Sequence, residues 1–447
     1  MTQLLAGVFL LLIPVIVHLL RSRPAKRHIA FSALVLLIFL NNLPVIGNIY
    51  GWWTWFGTVR GMTVSLGDVI ALALILTRKP QKGTLPFWGL FAFYGGAVFV
   101  SIFFSSVWMA TTFAWWQYGR IVLLFAAVAG EVNREKLYSS LLFGISLGLI
   151  YQSGYVIFQK LTGVVQASGT LTHQNILGLM IELSILPLIA ALLGGERRKI
   201  IFLGVVAGLI CIAGSGSRGT MGIAGGAILV LLLLSIIRRV TARKMMMAGL
   251  TAAVLMAAVP FAIYTLEKRF NGSDFVTEEG ERDAFERAAK AMARDHPFGV
   301  GSNMYVSVSN AEGYAALAGV GWQFTSRAVP VHNAYLLARA ETGLWGLIAF
   351  ICLLSVPTVA GLVFAFADRR DPRGEAALGS AVALSANLIH NTLEFATHTY
   401  AIQALAVLNI AVIAALIRDR RITRRSKAMS RRKAPLGTVM SGPSVAA

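Results

Sequence analysis

Residues 332–346 read HNAYLLARAETGLWG. The stretch opens on His332 and Asn333 just after Pro330, and closes on Gly343 and Gly346 with helix formers between. Proline resists helix, so a helix is expected to begin at about 331–333 with Asn333 as a candidate cap. A histidine at that end feels the positive pole of the helix dipole, which favours neutral imidazole. Neutral imidazole is the form a general base requires. Residues 332, 336, 339, 343 and 346 step by four and three, so they are expected to share one helix face. Gly343 and Gly346 are expected to admit a neighbouring helix. Arg339 would lie roughly 10 Å deeper than His332, where it either contacts substrate or pairs with an acid. A lone histidine at a helix end is more often structural than catalytic, so its surroundings decide the reading.

Those surroundings are a membrane protein. The 447 residues are 56% hydrophobic and only 13% charged, too little polar residue to surface a soluble domain. Apolar stretches recur near 3–20, 29–49, 64–77, 85–104, 113–130, 137–158, 175–193, 200–214, 219–237, 245–264, 336–367, 375–396 and 399–417. At about 20 residues per span this predicts an all-α, polytopic fold with about twelve or thirteen membrane helices. The runs at 64–77 and 200–214 are short for a span. The first twenty residues lack a basic start and read as a span rather than a cleaved signal peptide. Cys211 and Cys352 sit in apolar runs, which favours free thiols over a disulfide.

The net charge of +20 would suggest nucleic acid in a soluble protein. Here the basic residues form short clusters between apolar runs: RSRPAKRH, RKPQK, NREK, ERRK, RRVTARK, DRRDPR and RDRRITRRSKAMSRRK. They hold 28 of the 40 Lys and Arg and follow every second run, so most positive charge belongs to one side. Taken as cytoplasmic, they put the N-terminus outside, the C-terminus inside and nucleic acid out of the picture. The expected organisation is one membrane domain over 1–417 and a basic, disordered cytoplasmic tail over 418–447. One outer loop, 265–331, is long. Within it 282–294 has helical spacing, with Phe285, Ala288, Ala289 and Met292 on one face; Pro297, Gly299 and Gly301 end it.

Charged and polar residues on the outer side are the candidates for chemistry. Arg218 lies in GSGSRGT, where a guanidinium and backbone amides suit a phosphate or diphosphate. The bland reading is a snorkelling arginine. Arg282 and Arg287 lie in the loop helix among acids, as a solvated face would. Arg120, in WWQYGR, is read either as a substrate or headgroup contact or as a buried ion pair. His173 and Asn175 start a span in GTLTHQN. His390 and Asn391 are read deep in a span near Glu394, with His398 in the following turn, and each has a structural reading. No spacing suggests a metal site, and no cofactor is implied.

Taken together, these segments resemble the O-antigen ligase and polymerase superfamily of bacterial membrane glycosyltransferases. HNAYLLARAETGLWG is similar to that family's pattern of His-Asn, nine residues, then Gly-x-x-Gly. RDAFERAAKAMARDHPFGVG, GTLTHQNILG and SGSRGT resemble its other signatures, in order over 165–350. One departure is Glu286 where the family often has tryptophan, which bears on packing of the loop helix. The resemblance implies transfer of a glycan from a polyprenyl (undecaprenyl) diphosphate carrier to an acceptor hydroxyl at the periplasmic face of the inner membrane. The implied reaction is inverting and metal-independent. His332 would be the base, and Arg218 and Arg282 would hold the diphosphate. Asn333, His173, Asn175, Arg120, Arg287 and Arg339 are further candidate substrate contacts. The acceptor would be lipid A-core for a ligase, the reading the histidine motif favours, or a lipid-linked repeat for an O-antigen or exopolysaccharide polymerase. A lipid-linked oligosaccharide flippase would also have many spans, but it predicts an inverted repeat that the sequence lacks.

Overall fold

The computed structural model describes residues 2–79, 83–131, 134–251 and 274–433. The first helices are α1 (Thr2–Ser22) and α2 (Arg27–Leu36), followed by strands β1 (Ile46–Gly51) and β2 (Gly61–Ser65). Then come α3 (Leu66–Leu76), α4 (Trp88–Val100), α5 (Trp108–Ala129), α6 (Arg134–Leu161), α7 (Gln174–Leu193), α8 (Lys199–Ser215) and α9 (Arg218–Arg238). The outer loop carries α10 (Asp274–Asp295) and the short helices α11 (Tyr305–Ala311), α12 (Tyr314–Leu317) and α13 (Phe324–Arg327). The chain ends in α14 (Ala334–Ala367), α15 (Arg373–His390) and α16 (Tyr400–Lys433). The all-α class holds.

Among the described residues six helices are long and apolar enough to cross a membrane, and three shorter apolar helices accompany them. Apolar runs and spanning helices therefore do not correspond one to one. The run at 29–49 shows why. Its helix stops at Leu36, the chain turns through Asn41, Asn42 and Pro44, and the rest enters β1. Proline and asparagine are turn formers, and they divide what hydropathy alone reads as one span. The hairpin pairs Ile46 with Ser65 and Gly51 with Gly61, with a bulge between Asn48 and Tyr50. Most of the apolar run at 245–264 lies outside the described residues, as does 265–273 of the outer loop.

α7 is the axis of the bundle. Of its apolar window 94% is buried, and it packs on α8, α9, α15 and α16. A second core lies under the outer loop, where Phe285, Ala288, Ala289 and Met292 meet Val331, Leu337 and Ala340. The amphipathic face expected for 282–294 is thus the face that docks the loop on the start of α14. Glu286 disturbs nothing there, because it points outward and pairs with Lys290 at 2.8 Å. Asn303, at φ 68°, bonds Val59 and the Ala110 carbonyl and so ties the loop to the hairpin region.

α14 is broken at Gly343, whose φ of 70° and ψ of −170° are not helical. The break leaves carbonyls without their helical donors. Val300 N and Gly301 N from the outer loop fill the gap, bonding Ala340 O at 3.0 Å and Glu341 O at 2.9 Å. A Cβ on Gly343 would fall 2.7 Å from the Phe298 backbone. The expectation of a helix–helix contact at Gly343 is therefore corrected: its small size admits a loop, and the shared face of 332–346 ends at the break. The tail is also corrected in part, since α16 continues as helix to Lys433. The remainder, 434–447, lies outside the described residues.

Candidate active site

His332 stands one residue before the cap of α14. Asn333 is that cap, accepting Tyr335 N at 3.0 Å and Leu336 N at 3.1 Å. The next amide, Ala334 N, donates to Asn391 O at 2.9 Å and Glu394 O at 3.1 Å. The turn that follows α15 is thereby seated on the start of α14. This contact brings Glu394 to His332, whose Nδ1 lies 3.2 Å from Oε2 and 3.3 Å from Oε1. Phe285 and Phe395 meet the imidazole edge-on, at 5.8 and 5.6 Å between ring centroids. The ring is fixed on three sides, yet the side chain stays 24% exposed while Glu394 is only 2% exposed. Nδ1 is turned to the carboxylate, and Nε2 has no hydrogen-bond partner among the described residues.

Glu394 also joins α7 to the site, accepting Asn175 Nδ2 at 2.6 Å. Burial would raise its pKa. The hydrogen bonds from His332 and Asn175, with His332 and His173 close by, hold the carboxyl well down, at about 2. His173 caps α7, its Nδ1 accepting Asn175 N at 3.3 Å. Burial pushes the His173 imidazole below its ordinary value; Glu394 opposes this, while His332 and Arg282 reinforce it. Arg282 therefore lies within electrostatic reach of both histidines' corner. It is exposed on α10, one turn before Phe285, which touches His332.

Arg218 is the first residue of α9 and is exposed. Gly216 ends α8 in the left-handed conformation, φ 61°, and Ser217 caps α9 by accepting Thr220 N. GSGSRGT is thus a tight turn between two helices. A Cβ on Gly219 would sit 3.7 Å from Leu393, so this turn abuts the segment carrying Glu394. A Cβ on Gly178 would run into Thr220, so α7 and α9 start side by side. His173, Asn175, Arg218, Arg282, His332 and Glu394 come from four helix starts or turns and one loop helix, and they gather at one end of the bundle.

The other candidates lie elsewhere. Arg120 pairs with Asp68 at 2.7 Å, bonds Thr63 and stacks on Tyr400 at 4.0 Å, holding the hairpin and α3 to α5 and α16. This is the buried-pair reading, and it leaves Arg120 6% exposed. Arg287 donates to Ala318 O within the loop, at 2.9 Å. Arg339 donates to Pro297 O at 3.1 Å, so a loop carbonyl and not an acid is its partner. His390 is sealed in the core against Glu182 at 2.9 Å. His398 lies behind α14, its Nε2 3.3 Å from Ala334 O. Sequence reasoning noticed Glu394 only as a neighbour of His390. The signal was present, because an acid in an apolar stretch needs a partner and His332 lies on the same expected side. Among the described residues no group of His, Cys, Asp and Glu could hold a metal ion.

The chain is thus a helical membrane protein that brings a histidine–carboxylate pair together with an arginine at a helix start and another on a loop helix. Residues 203–351 match the family model described as O-antigen ligase, which supports the resemblance to the O-antigen ligase and polymerase superfamily. The match contains Arg218, Arg282 and His332 and supports a role of the ligase or polymerase type. His173, Asn175 and Glu394 lie outside the matched residues. Comparison with curated proteins gives no match.

Proposed function

We propose that the protein is a glycosyltransferase that moves a glycan from a polyprenyl diphosphate carrier to an acceptor hydroxyl. The observation that carries this reading is the pairing of a partly exposed His332 with the buried Glu394 through Nδ1, which leaves Nε2 without a protein partner among the described residues. In the reaction His332 Nε2 removes the proton of the acceptor hydroxyl as the oxygen attacks the anomeric carbon. Glu394 holds Nδ1–H, fixes the ring and balances the charge the imidazole gains. The bond from the anomeric carbon to the diphosphate oxygen breaks on the opposite face, so configuration inverts. Arg218 and Arg282 bind the diphosphate and stabilise the charge it carries away. Planar guanidinium forks suit that task better than an ammonium group.

The basic clusters between apolar runs support an inward C-terminus and, with it, a site at the periplasmic face of the inner membrane. The histidine motif favours the ligase form, with lipid A-core as acceptor. The test is reconstitution with a polyprenyl-diphosphate glycan, with and without lipid A-core, read on a gel. Product that needs the lipid acceptor marks a ligase. A ladder from donor alone marks a polymerase of lipid-linked repeats. No product in either lane, from folded protein, overturns the proposal.

A further inference from the structure

The site holds a second imidazole for which the chemistry above has no use. His173 is half-buried at the start of α7. Its Nδ1 accepts a hydrogen bond from Asn175 N, the amide two residues on. An imidazole nitrogen that accepts from a backbone N–H has its lone pair engaged and carries no proton. In the neutral ring the proton must then sit on Nε2, so the fold selects the tautomer. Nε2 has no protein partner among the described residues. Asn175, the residue that supplies the capping amide, also bonds Glu394, and His332 and Arg282 act on the His173 ring from across the site.

The charges around this N–H decide what it suits. Glu394 already receives His332 and Asn175, so it is occupied. Arg282, on the outer loop, makes this corner attractive to anions. The helix start adds its own positive pole. A fixed neutral donor beside a guanidinium gives direction where the arginine gives charge.

We propose that His173 binds the donor's diphosphate through Nε2–H, as a hydrogen-bond donor whose tautomer is set by its capping of α7. The inference rests on the proposed function and deepens it. It assigns His173 to the leaving group and leaves the acceptor hydroxyl to His332.

Two substitutions separate the ring's two nitrogens. The His173→Asn amide oxygen can take the place of Nδ1 and keep the cap, but it reaches no further. The His173→Gln amide nitrogen reaches the place of Nε2 but gives up the cap. The full-length protein in lipid nanodiscs is titrated with undecaprenyl diphosphate, and its melting temperature is measured alongside. H173N is expected to melt like the unsubstituted protein and to bind the diphosphate about tenfold or more weakly, the scale of one hydrogen bond to a charged group. H173Q is expected to melt lower and to keep affinity within about threefold. Unchanged affinity in H173N overturns the proposal. So does affinity that merely follows melting temperature through both variants. Normal diphosphate affinity with a raised acceptor KM also overturns it and moves His173 to the acceptor. If the unsubstituted protein does not bind undecaprenyl diphosphate, the proposed function fails together with this inference, which sets that outcome apart from the other three.

Discussion

Two histidines in this protein meet a glutamate through Nδ1, and their surroundings differ. His332 lies 3.2 Å from Glu394, and His390 lies 2.9 Å from Glu182. His390 and Glu182 are 1% and 0% exposed, between α15 and α7. Nothing can reach that imidazole, so its pair can only hold helices together. His332 is 24% exposed, stands before a helix start and shares its corner with Arg282 and His173. The same two side chains serve packing in one place and, on the proposed function, chemistry in the other. Access and neighbouring charge, not the pair itself, separate the roles.

α9 repeats the contrast along its length. Arg218 at its first residue is exposed at the proposed site. Arg238 at its last residue is buried and pairs with Glu375 at 2.8 Å, with Lys244 on the same carboxylate. The two arginines lie roughly 30 Å apart at 1.5 Å per residue. At one end the charge is consumed by the fold. At the other the guanidinium lies at the surface, where the proposed function uses it to hold the diphosphate.

The sharpest way to break the comparison is to remove each histidine. His332→Ala is expected to lower glycan transfer by about 10²–10⁴-fold, the usual worth of a general base. The buried Glu394 keeps its bond from Asn175, so the melting temperature should fall only modestly. His390→Ala should do the reverse. It leaves a buried carboxylate without its partner, which costs about 3–5 kcal/mol, read as a fall in melting temperature. Glu394→Gln keeps the shape and loses the charge, so transfer should fall by about 10²-fold through misplacement of the His332 ring. The same variant tests linkage. The folded carboxyl titrates at about 2 against 4.5 ordinarily, so its contribution is full above about pH 4.5 and is lost as pH falls towards 2. E394Q should flatten that part of an acid-stability curve. Arg218→Lys should weaken donor binding by about tenfold, since a point charge replaces a fork. The smallest effect is expected for Arg287→Ala, which loses one exposed bond to Ala318 O and should cost under about 0.5 kcal/mol with transfer unchanged. Transfer that survives EDTA would match the use of arginines in place of a metal; loss of transfer, restored by magnesium, would contradict it.

Much of this was legible in local pattern. Asn333 announced the helix start, and the spacing of Phe285, Ala288, Ala289 and Met292 gave the docked face of α10. Both signals run over a few residues. The Glu394 carboxylate reaches His332 across 62 residues, through backbone bonds between a turn and a helix start, and no periodicity encodes such a contact. Asp68 claims Arg120 in the same way, across 52 residues. The break at Gly343 depends on Phe298 and Val300 arriving from the loop, so HNAYLLARAETGLWG reads as an unbroken helix when taken alone.

The most direct test measures transfer rate and melting temperature together for His332→Ala and His390→Ala in the same reconstituted preparation. The account predicts a collapsed rate with only a modest loss of stability for the first, and a strongly weakened fold for the second. Normal transfer by His332→Ala would contradict the assignment of His332 as the base.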